Sequence, residues 1–167
     1  MSSVSIQHYK TPYGELLLGS FNGQLCLCDW QCRRMRTSID KRIKTALKAT
    51  YVEQPCTLLD ETVRQLNEYF NQQRKQFDLP LLMLGTDFQH AVWNALLTIP
   101  YGSTRSYLEL ANNISNSKAV RAVANANGAN AMSIIIPCHR VIGGNGQLTG
   151  YAGGLLAKKK LLALEAN

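Results

Sequence analysis

Acidic residues are scarce in this chain. Its 167 residues hold 11 Asp and Glu against 18 Lys and Arg, and charged residues of both signs reach only 17% of the total. Disorder needs a higher charge density and less apolar content than the 46% found here, so the composition is that of a folded globular protein. Long apolar runs are lacking as well. No segment approaches the ~20 apolar residues that a membrane helix needs, and the opening MSSVSIQHYK has no apolar stretch of the kind a signal peptide carries. These absences predict a cytoplasmic protein with no membrane partner. Internal repeats and low-complexity tracts are also missing, and the length suits one ordinary domain or two small ones.

Cysteine is present but unpaired in number. There are 5, namely Cys26, Cys28, Cys32, Cys56 and Cys138, and a reducing compartment keeps them as thiols. Zinc sites space their ligands as C-x2-4-C with a second pair elsewhere. Cys26 and Cys28 are one residue apart, on one face of a strand, and no second Cys/His pair follows. His8 and His90 are isolated. No metal and no other cofactor is expected.

What the chain does have is positive charge, +7 with an isoelectric point near 9.3, which favours a polyanionic partner. From residue 86 onward the only acids are Asp87, Glu109 and Glu165, so the second half is basic through lack of acids and not through a basic run.

The periodicities predict an α+β fold in two parts. Residues 1–85 read as a small support domain with a three-stranded antiparallel sheet and helices. Its strands are Val4–Lys10, Glu15–Ser20 and Leu25–Trp30, and Asn22-Gly23 is a hairpin signal. Met35, Ile39, Ile43 and Leu47 mark a helix over Arg33–Ala49, and Val63, Leu66, Tyr69 and Phe70 mark another over Leu59–Gln73. Phe77–Pro80 reads as an extended or edge segment. Residues 86–167 read as mostly helical. Thr86 or Asp87 caps Phe88–Leu97, Ser106 caps Tyr107–Asn112, and Lys118–Asn127 follows a short polar turn. The last two helices form a helix-turn-helix. Gly143–Gly146 is a tight turn and a candidate hairpin tip, and Gly153–Ala166 is the final helix.

Cys138 carries the chemistry. It alone of the cysteines has a base as its neighbour, in Ile136-Pro137-Cys138-His139-Arg140-Val141. A thiol attacks as its thiolate, and a histidine can take the proton. In a strand the two side chains would point apart, so the chain must turn at Pro137-Cys138. A carboxylate on the other ring nitrogen would complete the set; Glu165 on the final helix is a candidate. A buried thiol beside a surface imidazole explains the dipeptide equally well on spacing alone.

Six features together resemble the O6-alkylguanine-DNA alkyltransferases, the methylated-DNA–protein-cysteine methyltransferases. They are the Pro-Cys-His-Arg turn, Ser106-Tyr107-x-x-Leu110-Ala111, Arg121-Ala122-Val123, Asn130, Gly150-Tyr151-Ala152-Gly153-Gly154 and Leu161-Leu162-Ala163-Leu164-Glu165. The resemblance covers residues 86–165 closely and the first half only in layout. It implies a suicide reaction in which Cys138 takes the alkyl group from guanine O6, or from thymine O4, and keeps it. It implies a catalytic set of Cys138, His139, Glu165 and Asn130, the last holding the backbone under the cysteine. Tyr107, Arg121, Arg105 and Lys118 would bind double-stranded DNA carrying alkylated guanine, with Arg121 filling the stack left by a flipped nucleotide. Tyr107, Val141, Tyr151 and Ala152 would form the substrate pocket of a monomer. Three positions depart from the family pattern: Ala152 where serine occurs, Ala131 where proline is common, and Ala124 where glycine is common. A DNA-binding relative without the nucleophile, a Cys-His-Glu hydrolase and a plain helix-turn-helix regulator are the rival readings. The first lacks a cysteine at this position, the second lacks its oxyanion loop here, and the third leaves the Pro-Cys-His-Arg turn unexplained.

Overall fold

The computed structural model describes residues 2–167. The chain divides into two compact units, one up to Leu84 and one from Gly85 onward.

The first unit is a sheet with two helices. Strands β1 (Ser2–Thr11), β2 (Gly14–Phe21) and β3 (Gln24–Trp30) run antiparallel. Asn22 and Gly23 both take positive φ, 49° and 78°, as a two-residue turn between twisted strands requires. Helix α1 (Arg36–Leu47) buries Ile39 and Ile43, and helix α2 (Thr57–Phe70) buries Leu59, Leu66 and Tyr69. The sheet has a fourth strand, beyond the three expected from the sequence. Lys48 closes α1 in the left-handed region, at φ 50°, and the chain turns there into β4 (Ala49–Glu53). That strand lies parallel to β1, giving the order β3-β2-β1-β4. Leu81 adds an isolated bridge to Leu25, where the Leu25 amide donates to Pro80 O at 2.8 Å. Cys26 and Cys28 are buried thiols in β3, and burial pushes Cys26 up to about 12. Among the described residues no His, Cys, Asp and Glu side chains gather as a metal site.

The second unit is built of four helices and a two-strand ribbon: α3 (Asp87–Leu96), β5 (Arg105–Ser106), α4 (Tyr107–Asn113), α5 (Val120–Gly128), β6 (Val141–Ile142) and α6 (Leu155–Ala166). Two capping boxes start α3 and α4. The Thr86 hydroxyl accepts from the Gln89 amide at 3.1 Å, and the Ser106 hydroxyl accepts from the Glu109 amide at 3.1 Å; each partner side chain bonds back. Helix α5 packs on α3 and α4, and Trp93 Nε1 donates to Ala126 O at 2.9 Å to tie α3 to α5. Helix α5 starts two residues later than its sequence pattern suggests. Lys118 therefore lies in the preceding turn, and Arg121 is the second residue of the helix instead of lying a full turn inside it. The Gly143–Gly146 turn closes through Gly143 N–H to Gln147 O at 2.8 Å. It is no hairpin tip, because no strand follows it: residues 147–150 are irregular and the next element is α6. Among the described residues no helix is long and apolar enough to cross a membrane.

Candidate active site

The segment that carries Cys138 is a succession of tight turns. Ile135 N–H donates to Ser133 O at 2.8 Å across Ile134, whose φ is 72°. This is a three-residue turn of the rare, strained form, and a β-branched residue at its centre is a genuine backbone outlier. Cys138 N–H donates to Ile136 O at 2.8 Å across Pro137, at φ −80° and ψ 62°, the relaxed form of the same turn. Asn130 clamps the segment from both ends. Its Nδ2 donates to Ile136 O at 2.9 Å and its Oδ1 accepts from the Met132 amide at 2.9 Å. Asn130 is buried at 2% exposure, so bulk solvent does not compete for those bonds.

Beyond Pro137 the chain forms one 3-10 turn, Cys138–Arg140, and this solves the problem of direction. His139 and Arg140 both turn toward α6. His139 Nε2 lies 2.7 Å from Glu165 Oε2, Arg140 Nε donates to Glu165 Oε1 at 2.8 Å, and Arg140 Nη2 donates to Glu165 Oε2 at 3.1 Å. Arg140 Nη1 also donates to Ile99 O at 2.7 Å. Burial disfavours the Glu165 charge, but hydrogen bonds from His139 and Arg140 outweigh it and hold the carboxyl well below its ordinary range. Burial pulls His139 below its ordinary 6.5 despite the carboxylate. The pair is thus a neutral imidazole on an ionised carboxylate. A carboxylate only accepts, so the imidazole proton sits on Nε2 and Nδ1 keeps a lone pair. That Nδ1 is buried with no hydrogen-bond partner among the described residues. Cys138 itself is 3% exposed.

A buried cation adjoins the thiol. Lys158 has 0% exposure, and its Nζ donates to Val141 O at 2.6 Å and Thr149 O at 3.2 Å. Burial lowers its proton affinity, and negative charge on Cys138 raises it. Lys158 is not among the site residues expected from the sequence. The signal for burial is present nonetheless, since Lys158, Leu161 and Glu165 share one helix face with three- and four-residue spacing. Arg140 and Asn127 were also missed as site residues. Val123, Ala126, Asn127 and Asn130 follow the same spacing, and Asn127 Nδ2 lies 3.5 Å from Cys138 O.

The remaining candidates fall into two groups. Tyr151 stands with its ring centroid 6.4 Å from that of His139, edge to face, next to half-buried Ala152. Val141 is fully buried beside the cysteine turn. Tyr107, the first residue of α4, shares a hydrogen bond of 2.9 Å with Thr149 Oγ1. Arg121 and Lys118 are exposed, and Arg105 is half-buried with Nη1 on Thr104 O at 2.8 Å. These three cations are not drawn into the cysteine site.

Known proteins match both units. Residues 87–167 match the 6-O-methylguanine DNA methyltransferase DNA binding domain, and residues 6–83 match the ribonuclease-like domain of the same family. A methylated-DNA–protein-cysteine methyltransferase of Methanosarcina acetivorans is 58% identical over 107 residues, 64% of this chain and 69% of that protein. One of Mycobacterium bovis is 58% identical over 103 residues, 62% of each. The crystal structure of Mycobacterium tuberculosis OGT in complex with DNA superposes with a TM-score of 0.83 at 42% identity, covering 97% of this chain and 92% of that one. The chain belongs to the methylated-DNA–protein-cysteine methyltransferase family, enzymes of DNA alkyl repair that act through a cysteine.

Proposed function

We propose that Cys138 accepts an alkyl group from O6 of guanine, and from O4 of thymine, in duplex DNA, and that each molecule acts once. The observation that carries this reading is the 3-10 turn, in which Cys138 precedes a neutral His139 held by Glu165, itself bonded by Arg140. Nδ1 of His139 draws the thiol proton through a water. The thiolate then attacks the alkyl carbon from the side opposite oxygen. An S–C bond forms, the C–O6 bond breaks, and its electron pair passes to the purine, which leaves after taking up the proton. A thioether is a poor leaving group, so no second acceptor regenerates the thiol.

The buried thiol supports extrusion of the base, because a nucleotide inside a duplex does not present O6 to an atom that is 3% exposed. Arg121, exposed near the start of α5, enters the vacated stack. Tyr107, Tyr151, Val141 and Ala152 line the receiving pocket. Val141 O already takes a bond from Lys158, yet a carbonyl has two lone pairs and keeps one for the base. Arg105, Lys118 and the amides at the start of α4 hold phosphates without reading sequence. The protein works as a monomer.

Mass spectrometry after incubation with methylated duplex DNA tests the assignment. One alkyl mass on Cys138 per molecule is the expected result, with none on Cys138→Ala. Multiple turnover would overturn it. Arg121→Ala should slow repair in duplex DNA more than reaction with the free base, and equal losses would remove its role in flipping.

A further inference from the structure

Asn127 has no part in the mechanism above, yet it is buried at 6% exposure in α5, with its amide directed at the carbonyl of Cys138. Its Nδ2 reaches Cys138 O only at 3.5 Å, the outer limit of a hydrogen bond, so it is a weak tether. Its Oδ1 is buried and has no partner among the described residues. His139 Nδ1, one residue along from the cysteine, is in the same condition. Two acceptors without donors are therefore found next to the nucleophile's own residue, one on a side chain that reaches the Cys138 carbonyl and one on the residue that follows Cys138.

An acceptor cannot satisfy another acceptor. A water molecule can satisfy both, since it offers two hydrogens, and a buried water needs two to four polar partners. The thiol S–H supplies a third partner, donating to the water oxygen. We infer that Asn127 is a positioning residue, which holds one buried water between Cys138 and His139 Nδ1 and so fixes the direction of proton transfer; this rests on reading Cys138 as the alkyl acceptor.

The protons balance along that path. Before transfer the water donates one hydrogen to His139 Nδ1 and the other to Asn127 Oδ1, and accepts from the thiol. The thiol proton then passes to the water, and the water passes its first hydrogen to Nδ1. Afterwards the water accepts from Nδ1–H, donates the former thiol proton to the thiolate, and still donates its second hydrogen to Asn127. That second bond is the same in both states. It leaves the water one hydrogen for the imidazole and one lone pair for the thiol. Without Asn127 the water rotates, and both arms of the relay loosen.

The test is the pH–rate profile for Cys138 alkylation by free O6-benzylated guanine, which needs no DNA and no base extrusion. Asn127→Leu keeps the shape and removes the acceptor. It should react about tenfold more slowly than the parent near pH 6, equivalent to one pH unit in the midpoint. Near pH 9 it should come within about twofold, because the thiol there ionises unaided. Asn127→Ser, which retains an acceptor, should recover most of the low-pH rate. If Asn127→Leu does not fold, Asn127→Ala carries the same expectation. An equal loss at every pH, or an unchanged profile, overturns the inference. Failure of the parent protein to form a thioether at Cys138 would instead sink the alkyl-transfer reading itself.

Discussion

Replacing Glu165 by Gln preserves shape and removes one charge from the centre of the site. In the parent, Glu165 accepts from His139 Nε2 at 2.7 Å and from Arg140 at 2.8 and 3.1 Å, with only 4% of the residue exposed. The Gln amide has one oxygen to offer, and its nitrogen faces donors. Arg140, 7% exposed, is left with an uncompensated charge and the single carbonyl of Ile99. Breaking a buried pair by neutralising one partner costs about 3–5 kcal/mol, so urea denaturation at pH 7 should show a loss of that size. The pH dependence gives a second check. The folded carboxyl is held below its ordinary 4.5, so its contribution is present above that value and is lost as pH falls through the folded value. The gap between parent and variant should therefore narrow as pH drops from about 5 to about 3. His139 adds to the acid loss in both proteins. Its folded affinity for protons is lowered, so below 6.5 the unfolded chain takes up a proton that the folded one refuses. Alkyl transfer should slow roughly a hundredfold, since the amide no longer fixes the lone pair on Nδ1. A loss under about 1 kcal/mol at pH 7, or a gap that does not narrow in acid, would refute the account of an ionised Glu165 holding a neutral His139.

Three further outcomes follow from the same geometry. Asn130→Ala leaves the Met132 amide unpaired in the interior and takes from Ile136 O one of its two bonds, the other coming from the Cys138 amide, and should lower stability by about 1–3 kcal/mol, read by denaturant titration. Lys158→Met removes the buried ammonium that interacts with charge on Cys138, and should slow alkylation of Cys138 at neutral pH roughly tenfold, measured as adduct formation with iodoacetamide; an unchanged rate would show that the lysine only pins Val141 and Thr149. Ser106→Ala removes one half of a capping box and should cost about 1 kcal/mol, seen as a lower thermal midpoint with the chemistry on free base intact.

Much of the architecture was readable in the residues because the signals are local. Asn22-Gly23 specifies a turn with two positive φ values, and Thr86 and Ser106 announce helix starts through partners three residues on. The fourth strand was missed because the expected helix ran through Ala49 and the four residues after it carry no hairpin signal, whereas what ends that helix is the left-handed Lys48, a residue with no intrinsic preference for that conformation. The start of α5 was misplaced for a related reason: Ala119 supplies no capping side chain to mark it.

The sequence by itself determined that Cys138 and His139 are neighbours, that acids are few, and that Glu165 lies on the last helix, because these are facts of order and composition. Only the tertiary structure decided that one carboxylate serves both His139 and Arg140, that Lys158 is buried and bonds Val141 O just after the turn, and that Asn127 reaches the carbonyl of Cys138. Those relations join residues far apart in the chain. Chain order does not encode the distance between two side chains; the packing of α5 and α6 around the strained cysteine turn does.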